Sequence, residues 1–216
     1  MSKGSFKYII QKPKITNGLS PLLLMVHGYG SNENDLFSFS KSLPNNLTII
    51  SIRGDIETFG MGYAWYDISI DHLGNKKYDN IKAIESRDQI HNFIKDCPKL
   101  FNTDPNNVSL MGFSQGAILV NSVALTFPES IRNIISLSGG IDKNIINLAN
   151  KSFDHLSFYF SHGSQDEILP YDLAKDSLDF LDQNKIIYDF ETYPVGHGVC
   201  PENFESMVVW FRNKLQ

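Results

Sequence analysis

Short apolar runs alternate with longer helical stretches along the whole of this 216-residue sequence. The short runs are rich in β-branched and aromatic residues, which favour strands. The longer stretches repeat apolar residues at spacings of three and four, which favours amphipathic helices. A chain that alternates in this way is expected to form a parallel sheet whose strands are joined by crossover helices. Strands are predicted over residues 7–10, 22–27, 47–51, 108–111, 134–137, 158–162 and 188–193.

The helices are expected to cover both faces of the sheet, because several strands are nearly continuous in apolar residues. This pattern predicts an α/β fold with a doubly wound, mostly parallel sheet. No stretch rich in proline, glycine or serine is long enough to be a linker, so we expect a single domain over residues 1–216. The predicted helices are marked by Ile81, Ile84, Ile90, Phe93 and Ile94, by Leu173, Leu178 and Leu181, and by a final segment over 202–214.

Charge and composition exclude several classes of function. The formal net charge is −5, so the chain lacks the basic excess that binding to a nucleic-acid backbone requires. The apolar run over 22–26 is far shorter than the roughly 20 residues that span a bilayer, and the N-terminus has no signal-peptide pattern. Cys97 and Cys200 lie far apart, outside disulfide or zinc spacing. We therefore expect a cytoplasmic protein without a metal site or stable membrane insertion.

A nucleophile motif follows the predicted strand over 108–111. The sequence Gly112-Phe113-Ser114-Gln115-Gly116 stands between that strand and a helical run over 117–127. A G-x-S-x-G sequence in this context is typical of a tight turn that exposes the serine oxygen at the carboxyl end of the sheet. The turn also places Ser114 and the amide of Gln115 at a helix N-terminus, where developing negative charge is favoured. We interpret Ser114 as a catalytic nucleophile.

A serine nucleophile needs a histidine base and an orienting carboxylate, which follow it in the order acid, then histidine, in this kind of fold. Of the three histidines after the serine, His197 lies in a glycine-flanked loop between the last strand and the last helix. His162 ends a predicted strand and is interpreted as a structural residue, and His155 precedes that strand. Asp166, in the loop after the same strand, is the predicted acid, and Glu167 is its less favoured neighbour.

Four motifs together resemble the carboxylesterase/phospholipase family of α/β-hydrolases. They are H-G-x-G over 27–30, the nucleophile motif, H-G-x-x-D-x-x-L-P over 162–170 and G-H-G over 196–198. Arg53-Gly54 and the sequence A-W-Y-D over 64–67 also look like signatures of that family. The family includes small bacterial carboxylesterases, lysophospholipases and acyl-protein thioesterases. The resemblance runs from about residue 27 to the final helix.

This resemblance implies an α/β-hydrolase fold with a minimal cap domain or none. It implies a triad of Ser114, Asp166 and His197, with the tetrahedral intermediate held by the backbone amides of Tyr29 and Gln115. It requires neither a metal nor an organic cofactor. Two features depart from the family pattern and bear on the shape of the acyl pocket. Ile52 precedes the R-G pair where proline is usual, and the helical segment before the nucleophile is short.

Aromatic and apolar residues near these motifs are candidates for an acyl pocket. Several of them lie in an aromatic stretch over 61–66, to which Tyr66 also belongs. Ordinary core packing is an equally good interpretation of any one of these residues. No cluster of arginine or lysine stands out as a site for a polyanionic head group. Small to medium acyl chains are therefore the expected substrates. The candidate pocket residues are Met61, Tyr63, Trp65, Phe113 and Leu169.

Three functions remain in competition from the sequence. The first is an esterase or thioesterase that acts on small-molecule substrates as a monomer or homodimer. The second is a peptidase on the same fold, which the chain's lack of length for a large cap domain disfavours. The third is a non-catalytic hydrolase-fold protein that binds a ligand, which the complete set of triad residues disfavours.

Overall fold

The structure is a computed structural model that describes residues 6–15, 18–60, 62–72, 76–149 and 151–215. Its strands and helices follow one another in the alternating order that the sequence predicts. In chain order they are β1 (Tyr8–Gln11), β2 (Ser20–Val26), α1 (Asn34–Phe37), β3 (Thr48–Ile52), β4 (Ile56–Thr58), β5 (Gly62–Ala64), β6 (Ile68–Ile70), β7 (Lys76–Tyr78), α2 (Asn80–Phe101), β8 (Thr103–Phe113), α3 (Gln115–Thr126), β9 (Asn133–Leu137), β10 (Ser157–Gly163), α4 (Tyr171–Gln183), β11 (Tyr188–Tyr193) and α5 (Pro201–Lys214).

Seven strands form one central sheet in the order β1-β3-β2-β8-β9-β10-β11. The edge strand β1 pairs antiparallel with β3, and the remaining neighbours pair parallel. The carboxyl ends of the six parallel strands therefore meet at one edge of the sheet. Loops that follow those strands are brought together there, which is where ligands bind in open α/β sheets.

Helices cover both faces of this sheet, as the continuous apolar strands predict. Alternate residues of β2 point to opposite faces, and Leu22 packs with the apolar side chains of α2, α3 and α4. Its neighbour Leu23 packs with those of α1 and α5. Both leucines are fully buried. The prediction of a doubly wound, mostly parallel sheet is confirmed. Among the described residues, no helix has the length and apolar character to cross a membrane.

The structure contains two short hairpins that the sequence did not predict, and it exposes one apolar residue that was expected on the buried face of a helix. β4 pairs with β5, and β6 pairs with β7, each over three residues. Three-residue strands that are partly exposed carry too little alternation to be recognised. Strand β8 begins at Thr103, several residues before its apolar part. Ile81 does not belong to the core face of α2, since 76% of it is exposed, and that face begins at Ala83.

Trp65 connects the segment between β5 and β6 to the middle of the fold. Its indole N–H donates to the carbonyl oxygen of His27 at 2.8 Å, and its own amide donates to Gln115 Oε1 at 3.0 Å. Gln115 Nε2 donates in turn to the carbonyl oxygen of Tyr66 at 2.8 Å. Ser86 of α2 donates to the Trp65 carbonyl at 2.7 Å. Trp65 is only 1% exposed, so these bonds form away from solvent, where a lost partner is costly.

His27 completes this connection at the end of β2. Its Nε2 accepts a hydrogen bond from the Gly54 amide at 3.0 Å, so the ring hydrogen lies on Nδ1 and points to the Gly28 carbonyl at 2.7 Å. Burial of the ring lowers the pKa of His27, which favours this neutral form. His27 therefore supports the loop after β2 structurally.

Trp65→Phe is expected to lower the free energy of unfolding by about 1–3 kcal/mol, because the His27 carbonyl loses its buried donor. For a chain of this size the midpoint of thermal unfolding should fall by about 2–4 °C per kcal/mol. Differential scanning calorimetry measures both quantities. Trp210→Phe is the matched control, since the Trp210 indole donates to Asp189 at the surface. Equal losses in the two variants would contradict the role assigned to Trp65.

Candidate active site

Ser114 stands alone between strand β8 and helix α3 in a conformation that L-residues rarely adopt. Its backbone has φ 53° and ψ −119°, and α3 begins at the next residue. A non-glycine residue held at positive φ costs on the order of 1–3 kcal/mol and persists only where the surroundings enforce it. The Ser114 amide donates to the carbonyl of Leu137 on β9 at 2.9 Å, which helps to hold the turn. This is the predicted tight turn.

The glycines at either side of the turn allow α3 to lie against the sheet. A Cβ atom at Gly116 would run into the carbonyl oxygen of Val26, at the end of β2. One at Gly112 would run into the carbonyl oxygen of Gly116. Backbone approaches of this kind exclude every side chain, so the spacing of the two glycines follows from the packing.

Three predicted catalytic side chains lie in one hydrogen-bonded row. His197, in the loop between β11 and α5, has Nε2 at 2.9 Å from Ser114 Oγ. Its Nδ1 is 2.7 Å from Asp166 Oδ2, in the loop after β10. Glu167 is exposed and lies outside this row. The structure therefore brings together residues that are 31 and 83 positions from His197 in the sequence.

Asp166 is fixed by the backbone of its own loop. Its Oδ1 accepts hydrogen bonds from the amides of Ile168 and Leu169, each at 2.9 Å. Its carboxylate is fully buried, so these donors and His197 replace the solvation that burial removes. With Oδ1 occupied in this way, Oδ2 is directed at the imidazole.

His162 is a neighbour of this row that the sequence interpretation did not include. Its Nε2 lies 2.7 Å from the carbonyl oxygen of Leu169 and 3.3 Å from Asp166 Oδ2. Because a carbonyl oxygen only accepts, Nε2 carries a hydrogen, and that hydrogen is donated to Leu169. The side chain is 1% exposed. The sequence places His162 four residues before the acid, in the H-G pair of the motif. That spacing does not predict the direction of the imidazole ring.

The loop after β2 approaches the serine from the other side. The Gly30 amide donates to the Tyr63 carbonyl at 2.9 Å, and the Tyr63 amide donates to the Ser31 carbonyl at 2.7 Å, so strand β5 fixes the loop. Tyr29 and Gln115 line the same cavity as Ser114. Gln115 is the first residue of α3, and an amide at that position has no acceptor within its own helix. Amides so placed can stabilise an anion.

A cavity of about 360 Å³ opens beside Ser114 and His197. Of the predicted pocket residues, Phe113 and Leu169 line it, and the Phe113 ring centroid is 4.9 Å from that of His197. Residues that the sequence did not assign also contribute, chiefly from the β6–β7 hairpin. Tyr66, a member of the aromatic stretch considered from the sequence, also lines the cavity. The unpredicted apolar and aromatic lining residues are Ile68, Ile70, Tyr78, Ile118 and Ile168.

The other predicted pocket residues that the structure describes are not found in the lining of this cavity. Trp65 is a core residue, because its indole is committed to the buried bond with the His27 carbonyl. The Tyr63 ring lies 4.1 Å from the guanidinium of Arg53, and the cavity lining does not include it. Met61 lies outside the described residues. The described part of the chain has no group of three or more histidine, cysteine, aspartate or glutamate side chains arranged to hold a metal.

Comparison with known proteins identifies the family. The model of the phospholipase/carboxylesterase family matches residues 10–214. An acyl-protein thioesterase 1 of Cryptococcus neoformans is 24% identical over 98% of this chain and 99% of its own length. A probable carboxylesterase of Arabidopsis thaliana is 26% identical over 71% of this chain, and the match spans 60% of that relative.

Solved structures agree with the fold. A carboxylesterase of Bacillus cereus superposes with a TM-score of 0.83 at 21% identity, covering 98% of this chain and 96% of that one. From the match over residues 10–214 and this superposition, we conclude that the chain belongs to the phospholipase/carboxylesterase family and has the α/β-hydrolase fold.

Proposed function

We propose that this protein hydrolyses carboxylic esters or thioesters through an acyl-enzyme intermediate on Ser114. The observation that carries the proposal is the position of His197, whose two ring nitrogens lie within hydrogen-bond distance of Ser114 Oγ and Asp166 Oδ2. Nucleophile, base and orienting acid have this relation in serine hydrolases on unrelated folds. Membership of a family with carboxylesterase and thioesterase relatives supports the same chemistry.

The first half of the reaction forms the acyl-enzyme. A hydrogen on His197 Nδ1 points to the Asp166 carboxylate, so Nε2 has a free lone pair to accept the proton of Ser114. Ser114 Oγ attacks the substrate carbonyl as that proton leaves. The imidazolium that results is stabilised by Asp166, and it then gives its proton to the departing alcohol or thiol.

The developing oxyanion is held by main-chain donors in this proposal. Tyr29, in the loop after β2, and Gln115, the first residue of α3, both line the cavity beside Ser114. The positive end of the α3 dipole adds to their effect. Because the donors are backbone groups, the Tyr29 ring is free to line the cavity. In the second half of the reaction, His197 activates a water molecule, which releases the acid product and restores Ser114.

The size and lining of the cavity favour small to medium acyl chains. Its volume of about 360 Å³ lies near the lower end of the range for small-molecule sites. Apolar side chains from β6, α3 and the loop after β10 form much of its wall. An acyl-protein thioesterase activity is the second candidate, since a relative of that name matches 98% of this chain. A single-domain organisation over 1–216, a cytoplasmic location and a monomeric or homodimeric state stay predictions.

Ser114→Ala is expected to lower kcat for p-nitrophenyl butyrate by at least about 10³-fold, because no other group supplies the nucleophile. Ser164→Ala is the matched control, since its exposed hydroxyl only bonds to the Tyr193 carbonyl in the loop after β10. Release of p-nitrophenolate measures both. Turnover by Ser114→Ala that equals the turnover of the control would rule out the assigned nucleophile.

His162→Leu is expected to lower kcat about 10- to 100-fold with little change in KM, because the Leu169 carbonyl loses its donor and the amide of the same residue holds Asp166. His162→Gln keeps an N–H at similar reach and should recover part of the loss. Steady-state kinetics on the same ester, with the midpoint of thermal unfolding, separate the two variants. A rise in KM at unchanged kcat would show that His162 does not act through the acid.

A further inference from the structure

A second cavity of about 570 Å³ adjoins the catalytic one. Tyr66, Tyr78, Ile118 and Leu169 line both, so the two cavities meet at a common wall. A substrate whose carbonyl lies at Ser114 would therefore contact side chains that also border the second cavity. The proposed reaction leaves this outer cavity without a role.

The outer cavity carries an excess of negative charge. Asp142, just before a short turn after β9, and Asp176 and Asp179 of α4 contribute three carboxylates to its lining. Lys143 is the single cation among the lining residues, and its Nζ lies 5.5 Å from the Phe180 ring centroid. An anionic ligand would meet net repulsion here, whereas a cation would be attracted.

Two tyrosines stand at the junction of the cavities, near one of these carboxylates. The rings of Tyr66 and Tyr78 meet edge to face, with centroids 6.4 Å apart. Burial raises the pKa of Tyr66, and the Asp142 carboxylate raises it further. The same two causes raise the pKa of Tyr78. Tyr66, Tyr78 and Asp142 all line the outer cavity, so this carboxylate and the two tyrosines face the same space.

Tyr66 also carries an unused polar group at this junction. Its side chain is only 3% exposed, yet within the described part of the chain its hydroxyl makes no hydrogen bond. Asp142 is similarly available, because both hydrogen bonds that it accepts, from the amide and the side chain of Asn144, go to Oδ1. The Tyr66 hydroxyl and Asp142 Oδ2 are therefore available to a ligand in the outer cavity, which both residues line.

We propose that Tyr66, Tyr78 and Asp142 form a subsite for an ammonium group carried by the substrate. Aromatic rings attract an alkylated ammonium through their negative faces, and a carboxylate beside them adds a direct charge interaction. The acid residues of α4 extend this attraction to the mouth of the outer cavity. The inference rests on the proposed hydrolase function and specifies a substrate class for it: esters or thioesters with a cationic group beyond the reacting carbonyl.

Butyrylcholine and 3,3-dimethylbutyl butyrate test the subsite, since they share their shape and differ in the charge of one central atom. At low ionic strength we expect kcat/KM to favour the cationic ester by about 3- to 30-fold. The preference should shrink as salt is added, because salt screens the exposed carboxylates. Where turnover of either ester is too slow, its inhibition constant against p-nitrophenyl butyrate provides the same ratio.

Asp142→Asn is the variant that tests the assignment. Asparagine keeps the oxygen that caps the turn at Asn144, so the fold is expected to survive. The preference for the cationic ester should fall several-fold, because the rings and the carboxylates of α4 remain. Asp154→Asn, an exposed position away from both cavities, should keep the preference and the basal activity. Tyr78→Leu, which removes a ring without removing charge, should lower the preference in part.

The outcomes separate this inference from the function on which it rests. If p-nitrophenyl butyrate is hydrolysed and the two matched esters are treated alike by the unaltered protein, the subsite is wrong and the hydrolase proposal stands. A preference that is undiminished in Asp142→Asn also overturns the subsite. If no ester is hydrolysed, the proposed function itself fails.

Discussion

The geometry of the candidate site depends on how closely helix α3 approaches the ends of β2 and β8. At Gly116 and Gly112 the backbones are so near that no side chain fits, and this contact forces Ser114 into its positive φ. The strain is sustained by the surrounding core, where the side chains of α3 are buried along its whole length. Without this approach, neither the serine oxygen nor the Gln115 amide would lie at the cavity.

The other parts of the site follow from the parallel sheet. The loops after β2, β10 and β11 carry Tyr29, Asp166 and His197 to the edge where β8 delivers Ser114. Two of these loops are fixed by hydrogen bonds: β5 holds the loop of Tyr29, and the amides of Ile168 and Leu169 hold Asp166. A rigid scaffold with separately fixed loops is a general way to pre-organise a catalytic site.

The sequence predicts the residues that the backbone pattern positions, and it fails for those that side-chain packing positions. Ser114, Asp166 and His197 were identifiable because strand order and glycine spacing constrain where such residues stand. The two short hairpins and the ring of His162 were not, because their environments depend on contacts distant in sequence. For Trp65 the sequence leaves pocket lining and core packing open, and its bonds to His27 and Gln115, across 38 and 50 positions, make it part of the core.

The most direct test of the central claim is to treat the protein with a fluorophosphonate and locate the adduct by peptide mass spectrometry. An activated serine with an adjacent base forms a stable phosphonyl ester, whereas ordinary serines do not. The account predicts one adduct per chain, on the peptide that contains Ser114, and little labelling in His197→Ala. A protein that remains unlabelled, or that is labelled at another serine, would contradict it.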